Sequence, residues 1–293
     1  YSFLAKFAYE TGAAPHERNR TGIFYLRYKM ELLEALNAYY SNRDEDGRLL
    51  SRRGSVEFLT TLRYIEKYLR PGMKILEIGA GTGRYSHHFA RKGYEVDAIE
   101  LVEHNIEIFC ANTQPGERVT ITQGNAVSLG FIDSDTYDIT LLLGPMYHLL
   151  DDGDKRAAMD EALRVTKPGG VLFIAYCMNE PTIIQFCFLG GNLRRELDAG
   201  MIDPETFQTS STPAELFELY RREEIDALAA RLDADRLHFV GTDMYTNYFR
   251  EYFDGDTIDD ETFGLYLKYH FFICERSDMT GISHHTLDVL RKR

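Results

Sequence analysis

Apolar positions recur at helical spacing from about residue 20 to 70. Leu26, Met30, Leu33, Leu36 and Tyr40 form one stripe, and Phe58, Leu62, Ile65 and Leu69 form another that Pro71-Gly72 ends. The Asp44-Glu45-Asp46-Gly47 cluster reads as a turn, so three helical pieces precede the first strand. After Pro71 short apolar runs alternate with helical patterns. Strands are predicted at Lys74–Ile78, Glu95–Glu100, 118–122, 137–143 and 171–177, and helices at 84–92, 103–112 and 154–166. Strands separated by helices of that length pair in parallel and wind both ways from the centre of a sheet. The alternation then lapses. Residues 181–199 and 213–231 look helical with no strand between them. A strand signal returns at 237–242, an aromatic helix spans about 260–276 with Leu267, His270, Phe271 and Cys274 on one face, and 285–290 closes the pattern as a strand. The expectation is an α/β fold. Its doubly wound, mostly parallel sheet has about seven strands, N-terminal helices and a helical cap inserted after the fifth strand. Ligands in such sheets bind beyond the carboxyl ends of the strands.

Glu77-Ile78-Gly79-Ala80-Gly81-Thr82-Gly83 leaves the first strand and enters a helix. Glycines there let the backbone approach a ligand and adopt conformations closed to side chains. A nicotinamide dinucleotide site would place its third glycine at position 84, where Arg84 stands. Glu100 ends the second strand 17 residues after Gly83; a carboxylate there can accept from both hydroxyls of a ribose. Gly124-Asn125-Ala126 follows the third strand, and Leu143-Gly144-Pro145-Met146-Tyr147-His148-Leu149 follows the fourth. Pro168-Gly169-Gly170 reads as a tight reversal into the fifth.

In this order and spacing the segments resemble the class I S-adenosylmethionine-dependent methyltransferases, over about residues 73–178. The Leu143–Leu149 segment, with Ser283-His284-His285-Thr286-Leu287, also looks like a bacterial group of small-molecule methyltransferases of unsettled substrate. The resemblance implies S-adenosylmethionine as cofactor and S-adenosylhomocysteine as product. It implies a cofactor site made by Glu77, Gly79, Ala80, Gly81, Gly83, Glu100, Leu101, Asn125, Ala126, Leu143 and Gly144, with Asn125 in place of the family's usual Asp at the adenine edge. The chain divides accordingly into N-terminal helices over the cofactor edge (1–70), a Rossmann-like cofactor-binding core (71–178), a helical cap (179–235) and the completion of the sheet (236–293). The methyl should point toward Tyr147 and His148. We take these as candidate catalytic residues, His148 as a base near neutral pH; a capping role for the histidine is the alternative. No metal site is expected.

Charge and cysteines narrow the partners. The formal net charge of −13 repels phosphate backbones, and the basic pairs Arg52-Arg53, Arg194-Arg195 and Arg221-Arg222 read as solvated helix faces. We therefore expect a small-molecule acceptor, methylated on oxygen or nitrogen, and no nucleic acid. An RNA-base or protein methyltransferase and a non-catalytic cofactor-binding module are the rivals. Cys110, Cys177, Cys187 and Cys274 lack paired spacing and are expected as buried reduced thiols. No apolar stretch reaches membrane length. The chain opens at Tyr1 without a cleavable signal pattern, so we expect a trimmed, soluble, cytoplasmic protein. Most cap aromatics, among them Phe186, Phe188, Phe207, Phe217, Tyr220, Phe249, Tyr252 and Phe253, are expected in the core, with a few lining an apolar pocket.

Overall fold

The computed structural model describes residues 15–43, 45–255 and 257–293. Helix α1 runs Pro15–Ser41 and α2 runs Arg52–Tyr68; the predicted turn between them winds a single helical turn, Glu45–Arg48, with Asp44 outside the described residues. Then follow β1 (Lys74–Ile78), α3 (Arg84–Arg91), β2 (Glu95–Glu100), α4 (Glu103–Asn112), β3 (Val119–Gln123), β4 (Tyr137–Leu142), α5 (Asp152–Val165) and β5 (Thr166–Met178). A two-residue strand β6 (Leu219–Tyr220), α6 (Arg222–Ala229), β7 (Ala234–Gly241), α7 (Asp260–Ile273) and β8 (His285–Lys292) complete the order.

The strands lie in the order β3-β2-β1-β4-β5-β8-β7, with the short β6 beside β5. Strands β1 to β6 pair in parallel, and β8 runs antiparallel to both β5 and β7. Order reverses between β1 and β4, which opens a crevice at their carboxyl ends. Central strands covered on both faces must be apolar on both. Leu76, Ile78, Leu142, Leu172 and Ile174 face one core with α5. Ile75, Ile139, Leu141, Phe173, Leu287 and Val289 face the other with α2 and α3.

Several expectations change. On α1 the packed positions are Leu32 and Leu36, with Tyr39 and Tyr40 beside them, whereas Met30 and Leu33 stay exposed. The second stripe holds, with Phe58, Leu62, Ile65 and Leu69 all buried. Pro168-Gly169-Gly170 forms a bulge inside β5: pairing jumps from Tyr137↔Thr166 to Ile139↔Val171, and Gly169 takes φ +76°. Residues 213–221 are not helical, because Leu219 and Tyr220 pair with Cys177 and Met178. The rest of the cap is a short turn Asn179–Thr182, a π-helix Ile183–Leu189 and a helix Leu193–Asp198. That π-helix lies on the surface, so Phe186 and Phe188 are exposed, as are Phe207, Phe249 and Tyr252; Tyr220 and Phe253 are buried. Cys110 is exposed, while Cys177, Cys187 and Cys274 are buried thiols. Arg52 and Arg53 do not face solvent alone. They reach Asp260 and Asp254 at 2.7 Å each and tie α2 to the segment before α7. Arg221 likewise joins Glu180 at 2.6 Å. Among the described residues no helix is long and apolar enough to cross a membrane.

Candidate functional site

The turn after β1 is held by what its glycines permit. Gly79, Gly81 and Gly83 adopt φ +75°, +55° and +87°. A Cβ on Gly79 would meet the Pro145 ring at 2.6 Å, and one on Gly83 would meet Phe109 at 2.4 Å. In front of Gly81 there is open space. The N–H groups of Gly79 and Ala80 both donate to the Ile99 carbonyl, at 2.8 and 3.0 Å, which fastens the turn to β2. Glu77 braces the turn. It is 2 % exposed, and its Oε2 accepts from the Ser86 N–H at 2.9 Å and from the Ser86 hydroxyl. Burial pushes its pKa up to about 8 against those bonds. Through Oε2, Glu77 ties the end of β1 to Ser86 in the first turn of α3.

Glu100 is the carboxylate that faces the turn. Its Oε2 accepts the Gly81 N–H at 2.8 Å and its Oε1 the Val102 N–H at 2.8 Å. Oε1 also accepts from Asn105 Nδ2 at 3.4 Å; a carboxylate offers about four acceptor positions, so the position left for a ribose hydroxyl is on Oε2. Burial raises the Glu100 pKa, and further donors to the charged form would lower it again. One strand further, the Gly124 N–H donates to the Glu100 carbonyl at 2.9 Å. Asn125 Oδ1 accepts the Val127 N–H at 3.2 Å, which leaves its amide N–H groups as the donors for a ring nitrogen. Ala126 is buried behind it. The fold thus sets Gly79, Ala80, Gly81, Gly83, Glu100, Leu101, Asn125, Ala126, Leu143 and Gly144 at the carboxyl ends of adjacent strands. The open face at Gly81 and the unfilled position on Glu100 fit an adenosyl group.

The turn after β4 is crowded from two directions. Pro145–His148 makes one 3-10 turn. Tyr147 donates its hydroxyl to the Leu143 carbonyl at 3.0 Å and stacks on Phe217 at 5.9 Å and 17°. His148 is buried; Nδ1 lies 3.0 Å from the Leu216 carbonyl and Nε2 2.7 Å from the Tyr40 hydroxyl. A carbonyl can only accept, so Nδ1 carries the proton and Nε2 accepts from Tyr40. Burial lowers the His148 pKa to about 4. Both nitrogens are engaged. The ring is a strut between α1, the β4 turn and the cap, which favours the structural alternative over a base titrating near neutral pH. Tyr39 and Tyr40 pack with Leu101, Val102, Leu150 and Phe217. The sequence reading had Tyr40 in the first helical stripe and Phe217 among the cap aromatics, but did not bring them together, because Phe217 sat in a stretch read as helix.

A surface groove of about 570 Å³ lies elsewhere, lined by Leu59, Arg63, Lys67, His88 and Phe271 among others. None of its lining residues belongs to the glycine turn or the β4 turn, so it does not compete for the assignment.

Comparison with known proteins agrees with this geometry. Residues 75–170 match the family described as methyltransferase domain. A ubiquinone biosynthesis O-methyltransferase of Psychrobacter cryohalolentis is 27 % identical over 172 residues, covering 57 % of this chain and 63 % of that protein. A demethylmenaquinone methyltransferase of Clavibacter sepedonicus is 31 % identical over 159 residues, covering 53 % of this chain and 59 % of that protein. The chain thus spans less than two thirds of the length of these curated relatives. A solved Thermotoga maritima SAM-dependent methyltransferase, described as a possible histamine N-methyltransferase, shares the fold. Its TM-score is 0.54 at 18 % identity, over 89 % of this chain and all of that one.

Proposed function

The chain carries a methyltransferase domain on a class I, S-adenosylmethionine-dependent fold, and from that premise we propose that it transfers a methyl group to an oxygen or nitrogen of a small molecule. The observation that carries the reading is Glu100, aimed across the glycine turn with an acceptor position on Oε2 left for a ribose hydroxyl. When bound, the cofactor supplies a methyl already activated on a sulfonium, so the protein's work is orientation and exclusion of water. Gly81 admits the ligand to the backbone, Asn125 meets the base, and Tyr39, Tyr40, Tyr147 and Phe217 form an aromatic wall beside the β4 turn. Such a wall suits a planar or apolar acceptor. The names of the quinone-pathway relatives support the same class of substrate.

Calorimetry tests the cofactor. The protein is expected to bind S-adenosylmethionine and S-adenosylhomocysteine and to ignore NAD; tighter binding of NAD would overturn the reading. Glu100→Ala should weaken either ligand by about 1.5–3 kcal/mol, the scale of hydrogen bonds to a charged group. Release of S-adenosylhomocysteine with an added acceptor separates an enzyme from a module that only binds.

A further inference from the structure

At the carboxyl edge of β5, β7 and β8 lies a polar cluster that the cofactor site does not use. Asp243, just past β7, is buried, and its carboxylate is fully subscribed. Oδ1 accepts from the Ser283 hydroxyl at 2.7 Å and the His285 backbone N–H at 3.1 Å; Oδ2 accepts from Asn247 Nδ2 at 2.6 Å and His285 Nδ1 at 2.7 Å. One carboxylate therefore grips both backbone and ring of His285, and the ring cannot turn over. From α2, Glu57 Oε2 comes within 3.6 Å of the same Nδ1, while Arg48 holds both Glu57 oxygens at 2.8 and 3.3 Å. On β5, Cys177 is the direct cross-strand partner of His285. Its neighbour His284 is kept neutral, since burial lowers that pKa to about 4. Glu57, Asp243 and His285 are spaced like metal ligands. Arg48, Ser283 and Asn247 already occupy the two carboxylates, however, which is the arrangement that holds a protonated ring. The flanking carboxylates accordingly raise the His285 pKa well above its ordinary value.

What remains is Nε2. It has no partner among the described residues and is not sealed off, and the side chain is 28 % exposed. As the first residue of β8, His285 pairs with Cys177 at the carboxyl end of β5, the end of the sheet where ligands of such folds bind. Close by, the Tyr248 hydroxyl and both ring nitrogens of His284 are buried without a partner, with the two rings 5.2 Å apart. Buried polar groups of that kind are ordinarily satisfied, by a ligand where the protein supplies nothing.

We infer that His285 binds the methyl acceptor, its Nε2–H donating to a negatively charged oxygen, so that the substrate is a small molecule with an acidic hydroxyl taken up as its oxyanion. The inference rests on the proposed methyl transfer and names its substrate class. The acceptor loses its proton to solvent on binding. Its oxygen then attacks the methyl carbon, the carbon–sulfur bond breaks with its electron pair returning to sulfur, and His285 keeps its own proton throughout.

The test uses 4-nitrophenol, which ionises near neutral pH and absorbs visibly only as the oxyanion. Added to wild-type protein saturated with S-adenosylhomocysteine, it should show an increased oxyanion fraction. His285→Gln should weaken that binding roughly tenfold or more and leave S-adenosylhomocysteine affinity unchanged. Should that variant fail to fold, the imidazole nitrogen resonances of wild-type protein carry the test: His285 Nε2 must shift on addition of 4-nitrophenol. No oxyanion uptake by the wild type, equal uptake by His285→Gln, or an unmoved Nε2 resonance would overturn the inference. Loss of S-adenosylhomocysteine binding in a folded His285→Gln would also overturn it, by placing the ring at the cofactor. Failure of the wild type to bind S-adenosylhomocysteine at all would instead defeat the methyltransferase reading.

Discussion

Gly83 and His148 behave oppositely under substitution. At Gly83 the backbone already sits at φ +87°, and an added Cβ would press on Phe109 at 2.4 Å and His87 at 2.7 Å. Gly83→Ala is expected to destabilise the protein by roughly 2–4 kcal/mol, strain and overpacking together, as read from urea unfolding. His148 is held neutral, its pKa moved from 6.5 to about 4 by burial. The unfolded chain takes up that proton first as pH falls. Wild type should therefore lose stability relative to His148→Gln as pH drops from 6.5 toward 4, and the difference should level off below that. Unfolding midpoints of the two proteins across that range check it; a constant difference would mean the ring is charged in the fold. In turnover the same variant is expected to act by changing the contact of Tyr40 with position 148, rather than to remove a titration from the pH profile.

The strands and helices of the core were legible because their signals are local. β1 was placed without error because its apolar run is bounded by Pro71-Gly72 and the 79–83 glycines, and β2 because Gly93 precedes an apolar stretch that ends at Glu100. The candidate cofactor residues stand out for a related reason, since each lies at or just past a strand end. What could not be read depends on partners far away in sequence. Leu219 and Tyr220 look helical until Cys177 and Met178 are beside them. The bond from Ser86 to Glu77 joins residues nine apart and has no local signal. His285 was quoted in a segment but given no role, because Asp243 and Glu57 reach it from two other elements. The pairing of β7 with β8 supplies a further test at this scale. Arg236 forks onto Asp288 at 2.7 and 2.6 Å, and Asp288 is fully buried. Arg236→Met would strand that carboxylate and should lose about 3–5 kcal/mol in denaturant titration. Adding Asp288→Leu to the same chain should recover most of the loss.

Over the whole molecule the formal charge of −13 is distributed with its basic residues largely paired, as Arg52, Arg53, Arg221 and Arg236 illustrate. We expect no measurable RNA or DNA binding at physiological salt; tight, salt-sensitive retention in a filter assay would promote an RNA substrate over a metabolite. The position of β8 bears on something else, the order in which the chain can fold. β8 fills the slot between β5 and β7, and its partners on β5 lie about 120 positions earlier. Until residues 285–292 arrive, β5 and β7 each expose a row of unpaired backbone groups, the form of edge on which chains stick to one another. Such distant pairing is also slow to form. A nascent chain, or one cut short before His285, must spend that interval guarded by a chaperone or lose itself to aggregation, and the same late strand brings the histidine that completes the acceptor edge.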